Sequence, residues 1–130
     1  MNLRQLVCIC CSLSLDVTDE VFINPHDGRV YHRDLQTGEV GTICSYHWDD
    51  VDASVLCRHH GIASSGKAIY LPRDHHFNRT VFGVYCFGNE TNALDCPVDR
   101  NDTMHICDHM EDAAVQCDVP STSKDYNYPI

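Results

Sequence analysis

The sequence predicts a small α+β domain held together by disulfide bonds. Three observations support this fold class: a hairpin pattern over residues 29–45, a helix pattern directly after it, and an even set of cysteines from Cys44 to Cys117. A chain of 130 residues is too short for two independent cores, so we expect one domain with terminal extensions.

The first half of the domain is predicted to be a β-hairpin. Val21–Ile23 is apolar and is either an edge strand or a patch that packs its Phe, and a turn follows at Asn24–Gly28. Arg29–Arg33 alternates as a strand does, Leu35–Gly38 has turn composition, and Glu39–Ser45 is the partner strand. The hairpin therefore leads directly into the next element.

That element, between the predicted cap at Asp52 and Gly61, is predicted to be a short helix. Asp52 is the predicted N-cap, because its carboxylate can accept a hydrogen bond from a first-turn N–H. One face of the helix carries four residues at a spacing of three and four: Ala53, Leu56, Cys57 and His60. Gly61 is predicted to end the helix. Trp48, just before it, is predicted to pack beneath the helix.

The second half of the chain is predicted to contain three strands and a polar loop. Lys67–Leu71 and Val81–Cys86 have strand composition, and Asp112–Cys117 is predicted to close the domain as a last strand. Gly88–Cys96 suggests a turn followed by one or two helical turns. The stretch 98–105 is polar and is predicted to be a loop.

The N-terminal residues 1–14 are predicted to be a cleaved secretory signal, followed by a lead over 15–27. Arg4 precedes an apolar run, Leu6–Leu15, that is far shorter than the roughly 20 residues of a spanning helix. The alternative is a short buried N-terminal helix. The tail 119–130 is polar, and we expect it to be disordered. The sequence thus predicts a secreted, extracellular protein with no membrane anchor in this chain.

Cysteine usage agrees with secretion. Removing the predicted signal takes the nine cysteines to six, namely Cys44, Cys57, Cys86, Cys96, Cys107 and Cys117. An even number in a short secreted chain predicts a disulfide framework, and counting alone leaves the connectivity open. Three Asn-x-Thr sites, at Asn78, Asn89 and Asn101, are predicted glycosylation sites.

The acidic composition excludes two classes of partner. The formal net charge is −10, and loss of Arg4 with the signal makes it about one unit more negative. Such a chain is poorly suited to bind nucleic acid or anionic membranes.

Several segments, in order and at similar spacing, resemble a scavenger receptor cysteine-rich (SRCR) domain of the six-cysteine type, called group A. The matching segments are Gly28–Val30, Gly41–Cys44, Trp48–Asp49, Asp52–Arg58, Gly88–Thr91, Leu94–Cys96, Glu111–Ala113, Val115 and Cys117. Ile62 stands where the eight-cysteine type has a further cysteine. The predicted SRCR domain spans residues 28–118.

The resemblance implies a fold and a disulfide pattern. The family fold is a small, curved, mostly antiparallel sheet that cradles one helix. The implied pairs are Cys44–Cys107, Cys57–Cys117 and Cys86–Cys96. Family members bind partners and do not catalyse reactions, so we expect no enzyme activity.

The family's calcium site is only partly present in this sequence. Several members hold calcium through two aspartates directly after the Cys44 equivalent, together with a glutamate at the Glu111 position. Here Ser45 and Tyr46 replace the aspartates, and Phe82–Gly83 replaces a further acidic pair. Because calcium needs six to eight oxygen ligands, this loss predicts a weak site or none.

Neighbouring carboxylates are the candidates that would rebuild such a site. With Glu111, the candidate calcium ligands are Asp49 and Asp112, and Asp50 lies near them in sequence. The alternative is that these acids are helix-cap and surface charges. Beyond possible calcium, no cofactor is expected.

The candidate ligand-binding residues lie in the basic stretch 67–79. They are Lys67, Arg73, His75, His76 and Arg79, which the family resemblance places in loops on the ligand-binding face. Both histidines can add charge below about pH 6.5. A local cluster acts within a Debye length of about 8 to 10 Å, so it can bind a polyanion despite the acidic whole. The alternative is a solvated loop shielded by a glycan.

Metal or catalytic chemistry is the least supported interpretation. The clusters that suggest zinc are Cys57 with His59 and His60, and His105 with Cys107 and His109. Zinc and nucleophilic Cys–His chemistry both need free thiolates, which a disulfide framework removes.

Taken together, these observations predict a secreted, scavenger-receptor-like recognition module for a microbial polyanion or a glycoprotein. The alternative is a module for a host protein partner, without calcium or polyanion binding.

Overall fold

The computed structural model describes residues 19–118, and these contain one α-helix, eight short strands and two 3-10 turns. The elements, in chain order, are β1 Glu20–Ile23, β2 Val30–Arg33, β3 Val40–Ile43, α1 Asp50–His59, β4 Gly66–Leu71, β5 Arg79–Val81, β6 Gly83–Val84, a 3-10 turn Ala93–Asp95, β7 Val98–Asp99, a 3-10 turn Ile106–His109 and β8 Asp112–Cys117. The predicted signal at 1–14 and the polar tail at 119–130 lie outside the described residues.

The strands form three sheets, and the helix packs mainly on the pair formed by β4 and β8. Strands β1, β2, β3 and β5 form a four-stranded sheet in that order, in which β1–β2 and β2–β3 are antiparallel and β3–β5 is parallel. Strands β4 and β8 form an antiparallel pair, as do β6 and β7. Isolated bridges from Arg29 to Ala114 and from Cys44 to Asp112 join β8 to the first sheet. The predicted class, an α+β domain with mostly antiparallel sheets around one helix, is confirmed.

The predicted hairpin is present. In β2 the buried Val30 and His32 alternate with Tyr31 and Arg33, which are half-buried, as period-two burial requires. Val21–Ile23 forms part of β1, so the edge-strand interpretation of this patch is confirmed, and Phe22 stacks on Tyr31 with ring centroids 5.7 Å apart. The N-terminal lead is therefore part of the sheet from Glu20 onward.

The N-cap of the helix lies three residues earlier than predicted. Asp49, not Asp52, is the N-cap: its Oδ1 accepts from the backbone N–H of Asp52 at 3.1 Å. Asp52 is the third helical residue, and its Oδ2 accepts from the backbone N–H of Asp49 at 3.0 Å, which completes a capping box. With aspartates at 49, 50 and 52, composition alone does not distinguish the cap from the first turn. Gly61, at φ +69°, follows the helix end as predicted.

The burial of Asp52 has a measurable consequence. Burial raises the pKa of Asp52 to about 7, although the N–H groups of Cys86 and Asp49 act in the opposite direction. The folded state then takes up a proton that the unfolded state, with its ordinary pKa of 3.8, does not hold. We therefore expect the unfolding free energy of the wild type, relative to Asp52→Ala, to fall as the pH rises from about 4 to about 7.

Urea titrations of both proteins at half-unit pH intervals measure this difference. Above the folded-state pKa of about 7 the difference is expected to be constant, because the carboxyl group is then ionised in both states. A difference that is constant from pH 4 to 7 would contradict the raised pKa.

Strand β8 is the centre of the core. Ala113, Ala114 and Val115 are each at most 4% exposed, and Trp48 donates from Nε1 to the carbonyl of Ala114 at 2.8 Å. Gly28 packs directly on this strand at φ +83°, where an added Cβ would lie 2.2 Å from the carbonyl oxygen of Val115. A side chain at position 28 therefore has neither the space nor the backbone conformation that it needs.

Segments 79–86 and 98–109 differ from the prediction. The single strand expected over Val81–Cys86 is two short strands, because the register shifts where β5 pairs with β3 and β6 turns away to pair with β7. The loop expected over 98–105 contains β7 for the same reason. The 3-10 turn at 106–109 had no periodic pattern to predict it.

Three disulfides tie these elements together. The structure joins Cys44 to Cys107, Cys57 to Cys117 and Cys86 to Cys96, the pairs that the family resemblance implies. The first fastens the irregular segment around Cys107 to the end of β3, and the second fastens the helix to β8. Every cysteine among the described residues is bridged.

Candidate functional site

The predicted basic cluster does not form as one surface. Arg79 is 7% exposed and its side chain lies in the core, so it is unavailable to a ligand. Lys67 is exposed near the start of β4 opposite Gln116, whereas Leu71, at the other end, pairs with Asp112. The four-residue step along the strand from Lys67 to Leu71 spans about 13 Å, so Lys67 lies apart from the turn that follows β4. Only Arg73, His75 and His76 lie together.

The remaining basic residues form a short turn. His75 and His76 are exposed and Arg73 is half-buried, with its Nη2 3.5 Å from the carbonyl of Phe77. Asp74 pairs with His76 through Oδ1 at 3.0 Å, and the backbone N–H of His76 is the main reason that the pKa of Asp74 is lowered. The turn is thus partly neutralised by its own carboxylate.

Arg79 belongs instead to a buried ionic network, which the sequence analysis missed. Its Nη2 donates to Oδ1 of Asp112 at 2.8 Å, and Asp112 has no solvent exposure. The other carboxylate oxygen accepts from Arg29 Nη1 at 2.6 Å and from the backbone N–H of Asp74 at 2.9 Å. Arg79 Nη1 donates to the carbonyl of Cys107, and Nη2 also donates to the carbonyls of Met110 and Glu111.

The candidate calcium ligands do not fit the ion. Both oxygens of Asp112 are occupied by arginine and backbone donors, so this candidate is wrong as a metal ligand. Asp49 uses Oδ1 to cap the helix. Glu111 is exposed, and its backbone carbonyl accepts from the Ser45 N–H at 3.0 Å. One free glutamate and one capping aspartate supply far fewer than six oxygens.

The cysteine–histidine clusters are likewise occupied. Cys57 and Cys107 are in disulfides, and His59 accepts through Nδ1 from the Ala93 N–H at 3.2 Å. Cys86 and Cys96 lie near Glu90 but are bridged to each other. No thiolate is left in these clusters for a metal or a nucleophile.

The predicted glycosylation sites are accessible. Asn78, Asn89 and Asn101 are all exposed, and the Asn78 amide donates to Oε2 of Glu39 at 3.4 Å. Asn78 directly follows the turn that holds His75 and His76, so a glycan there would lie beside the remaining basic residues.

A second surface was not predicted from the sequence. Tyr46, Phe82 and Tyr85 come together in a groove of about 220 Å³, which we call the aromatic groove. Its other lining residues are Asp99, Asn101, Asp102, Thr103, Met104 and Ile106. Tyr46 and Phe82 occupy two of the positions where the family pattern has acids. That departure from the family pattern is the only signal in the sequence that points to these two positions, and it does not show that they share a surface.

The groove has a rigid framework. The phenol of Tyr85 donates to Oδ2 of Asp99 at 2.8 Å, and burial, followed by this carboxylate, raises the pKa of Tyr85 to about 12. Asp102 caps the second 3-10 turn by accepting from the N–H groups of Ile106 and Cys107 at 2.8 Å each. His47, at φ +62°, lies between Tyr46 and Tyr85, edge-to-face with the first ring at a centroid distance of 4.2 Å and tilted against the second at 5.2 Å. Met104 is 78% exposed at the rim.

These features define a class of protein: a small disulfide-linked recognition domain, whose surfaces are grooves and turns on a rigid scaffold. The sequence profile of the scavenger receptor cysteine-rich domain matches residues 23–118. The chain belongs to this family. SRCR domains are non-catalytic modules that bind extracellular ligands.

Curated relatives share this domain and extend far beyond it. Lysyl oxidase homolog 2 of Bos taurus is 39% identical over 104 residues, which are 75% of this chain and 12% of the relative. The human protein of the same name is 38% identical over 101 residues, 73% of this chain and again 12% of the relative. The chain thus corresponds to a small part of these relatives.

Solved structures show the same fold. The SRCR domain of mouse MARCO in its dimeric form has a TM-score of 0.58 and 32% identity, covering 78% of this chain and 89% of that one. The third SRCR domain of murine neurotrypsin has a TM-score of 0.61 and 31% identity, covering 78% of this chain and 98% of that one.

Among the described residues, no helix has the length and apolar character needed to cross a membrane.

Proposed function

We propose that this chain is a secreted, non-enzymatic SRCR module of group A whose ligand is an extracellular protein. The observation that carries the proposal is the burial of Arg79 against Asp112. It removes one cation from the predicted basic cluster and so weakens the case for a polyanion relative to a protein ligand. Both carboxylate oxygens of Asp112 are already occupied by arginine donors, which argues against a calcium-dependent ligand. The three described disulfides support an oxidising compartment and fit the six-cysteine group.

A microbial polyanion is the second candidate ligand. It depends on Arg73, His75 and His76, which remain together and accessible at one turn. Two features weaken it: Asp74 neutralises part of the turn, and the chain carries a net charge of −10. A glycan on Asn78 would shield the same turn.

A binding panel separates the two candidates. The purified glycoprotein is tested against heparin, lipopolysaccharide and whole bacteria, and against an array of defined extracellular proteins, at pH 7.4 and 5.5, with calcium and with chelator. We expect binding to at least one arrayed protein that chelation does not change, and no polyanion binding at pH 7.4.

Two variants give the panel its control. Arg73→Gln with His75→Gln removes two of the three basic side chains of the turn, and Arg33→Gln removes a cation elsewhere on the surface. Binding to heparin or bacteria that is lost only in the first variant would favour the polyanion. Binding that requires calcium would contradict the proposal, because it would need a metal site that Asp112 does not supply. An array without any bound protein would also contradict it.

A further inference from the structure

The aromatic groove has the composition of a site for a positively charged side chain. Three aromatic rings, from Tyr46, Phe82 and Tyr85, face a concave surface of about 220 Å³. Aromatic faces attract cations through the ring quadrupole, and arginine is the protein cation found most often in such contacts. The guanidinium group is planar and weakly hydrated, so it stacks on rings at a lower desolvation cost than an ammonium group.

The charge of the groove is complementary to such a ligand. Asp99 and Asp102 contribute carboxylates to the lining, and Oδ1 of Asp99 is not used by the bond that Oδ2 makes to Tyr85. The lining, as far as the described residues form it, includes no lysine or arginine. Arg100, between the two aspartates in sequence, is paired with Asp19 and lines a different cavity.

Backbone contacts hold the rings and carboxylates in place before any ligand arrives. The N–H of Phe82 donates to the carbonyl of Asp99 at 2.7 Å, which fixes the main chain that carries this ring beside β7. The Tyr85 N–H donates to the Pro97 carbonyl at 2.9 Å, and Asp102 is fixed by the turn that it caps. A preorganised site binds more tightly, since less side-chain freedom is lost on binding.

We propose that the aromatic groove binds an arginine side chain presented by the protein partner, with the guanidinium group stacked on the rings and paired with Asp99. This inference rests on the proposed function, because it assigns the surface through which the partner is held. Exposed Met104 and Ile106, 78% and 39% accessible, would contact the apolar part of the same partner segment.

The predicted glycan at Asn101 lies at the edge of this groove. Asn101 is exposed, so a glycan attached to it can extend into solvent and leave the rings accessible. Native glycoprotein and the Asn101→Gln variant are therefore both used in the test.

The test is a titration with a blocked pentapeptide, Gly-Gly-Arg-Gly-Gly, followed by two-dimensional NMR at pH 7.4. The matched probe carries citrulline in place of arginine, which keeps the shape and removes the charge. We expect shifts at the amides of Tyr46, Phe82 and Tyr85 with the arginine peptide, and about 5-fold weaker binding, or none, with citrulline.

Two single-charge variants localise the contact. Asp99→Asn keeps an acceptor for the Tyr85 hydroxyl and removes only the charge, so it is expected to weaken binding by about 2- to 5-fold. Asp95→Asn removes an exposed carboxylate outside the groove and is expected to change nothing. Equal effects of the two variants would mean non-specific attraction to an acidic protein and would overturn the inference.

The remaining outcomes separate this inference from the proposed function. If an arrayed protein binds but neither the arginine peptide nor Asp99→Asn has any effect, the groove assignment fails and the recognition function stands. Binding of the peptide by Asn101→Gln alone would also overturn it, since the native glycan would then block the groove. A partner whose binding falls with Asp99→Asn and not with Asp95→Asn supports it.

Discussion

Asp112→Asn is expected to lower the free energy of unfolding by about 3 to 5 kcal/mol, because it removes the buried carboxylate that pairs with Arg79 and Arg29. The carboxylate is fully buried and accepts hydrogen bonds from Arg29, Arg79 and the backbone of Asp74. Asparagine has nearly the same shape but offers one acceptor and directs an amide N–H₂ group toward arginine donors. Guanidinium chloride unfolding of the oxidised protein measures the change.

A surface ion pair provides the matched control. Glu20 pairs with Arg33 at 3.1 Å, and both side chains are about half exposed. Glu20→Gln is therefore expected to cost less than about 1 kcal/mol. Similar losses in the two variants would contradict the assignment of Asp112 as the centre of a desolvated network.

Loss of the disulfide between Cys44 and Cys107 is expected to destabilise the domain by about 4 kcal/mol in the chain-entropy description. The bridge closes a loop with a sequence separation of 63, and both cysteines are at most 2% exposed. The relevant variant carries Cys44→Ser and Cys107→Ser together, so that no free thiol remains to exchange. Its unfolding midpoint is compared with that of the wild type under non-reducing conditions.

The shorter bridge is the internal comparison. Cys86 and Cys96 are separated by 10 residues, and the same description gives about 3 kcal/mol for this loop. We expect the double serine variant at these positions to be the more stable of the two. The opposite order would show that native-state contacts, and not loop closure, dominate the contribution of the bridges.

Local patterns were sufficient to predict most of the regular elements. β8 was predicted with its bounds, because Asp112–Cys117 is a short apolar run between polar neighbours. The helix end was predicted because Gly61 permits the left-handed conformation that it adopts. The helix start was misassigned because the capping box uses two aspartates reciprocally, and either one alone looks like a cap.

The role of Arg79 could not be predicted, because it depends on pairings between distant parts of the chain. In sequence, Arg79 lies beside histidines and a glycosylation site and looks like part of an exposed basic loop. In the fold, β5 pairs in parallel with β3, and Arg79 and Val81 share its buried face. Only the return of β8, 33 residues later, places Asp112 opposite the guanidinium group.

The aromatic groove was missed for a related reason. Its rings come from the turn after β3 and from both sides of β6, which the chain separates by more than thirty residues. The sequence showed what had been lost at Tyr46 and Phe82, namely acidic metal ligands. It did not show that the replacements contact one cavity.

The two long disulfides overlap along the chain, and this determines the order in which they can form. Cys44 and Cys57 are synthesised well before their partners, Cys107 and Cys117. Cys44 and Cys57 are therefore available to each other before either native partner has been synthesised, so a bridge between them is a competing product. The Cys57–Cys117 pair can form only after the last strand has been synthesised, and any earlier bridge between Cys44 and Cys57 must then be reshuffled, which takes seconds to hours. We therefore expect a thiol–disulfide exchange catalyst to speed the formation of the native pairs.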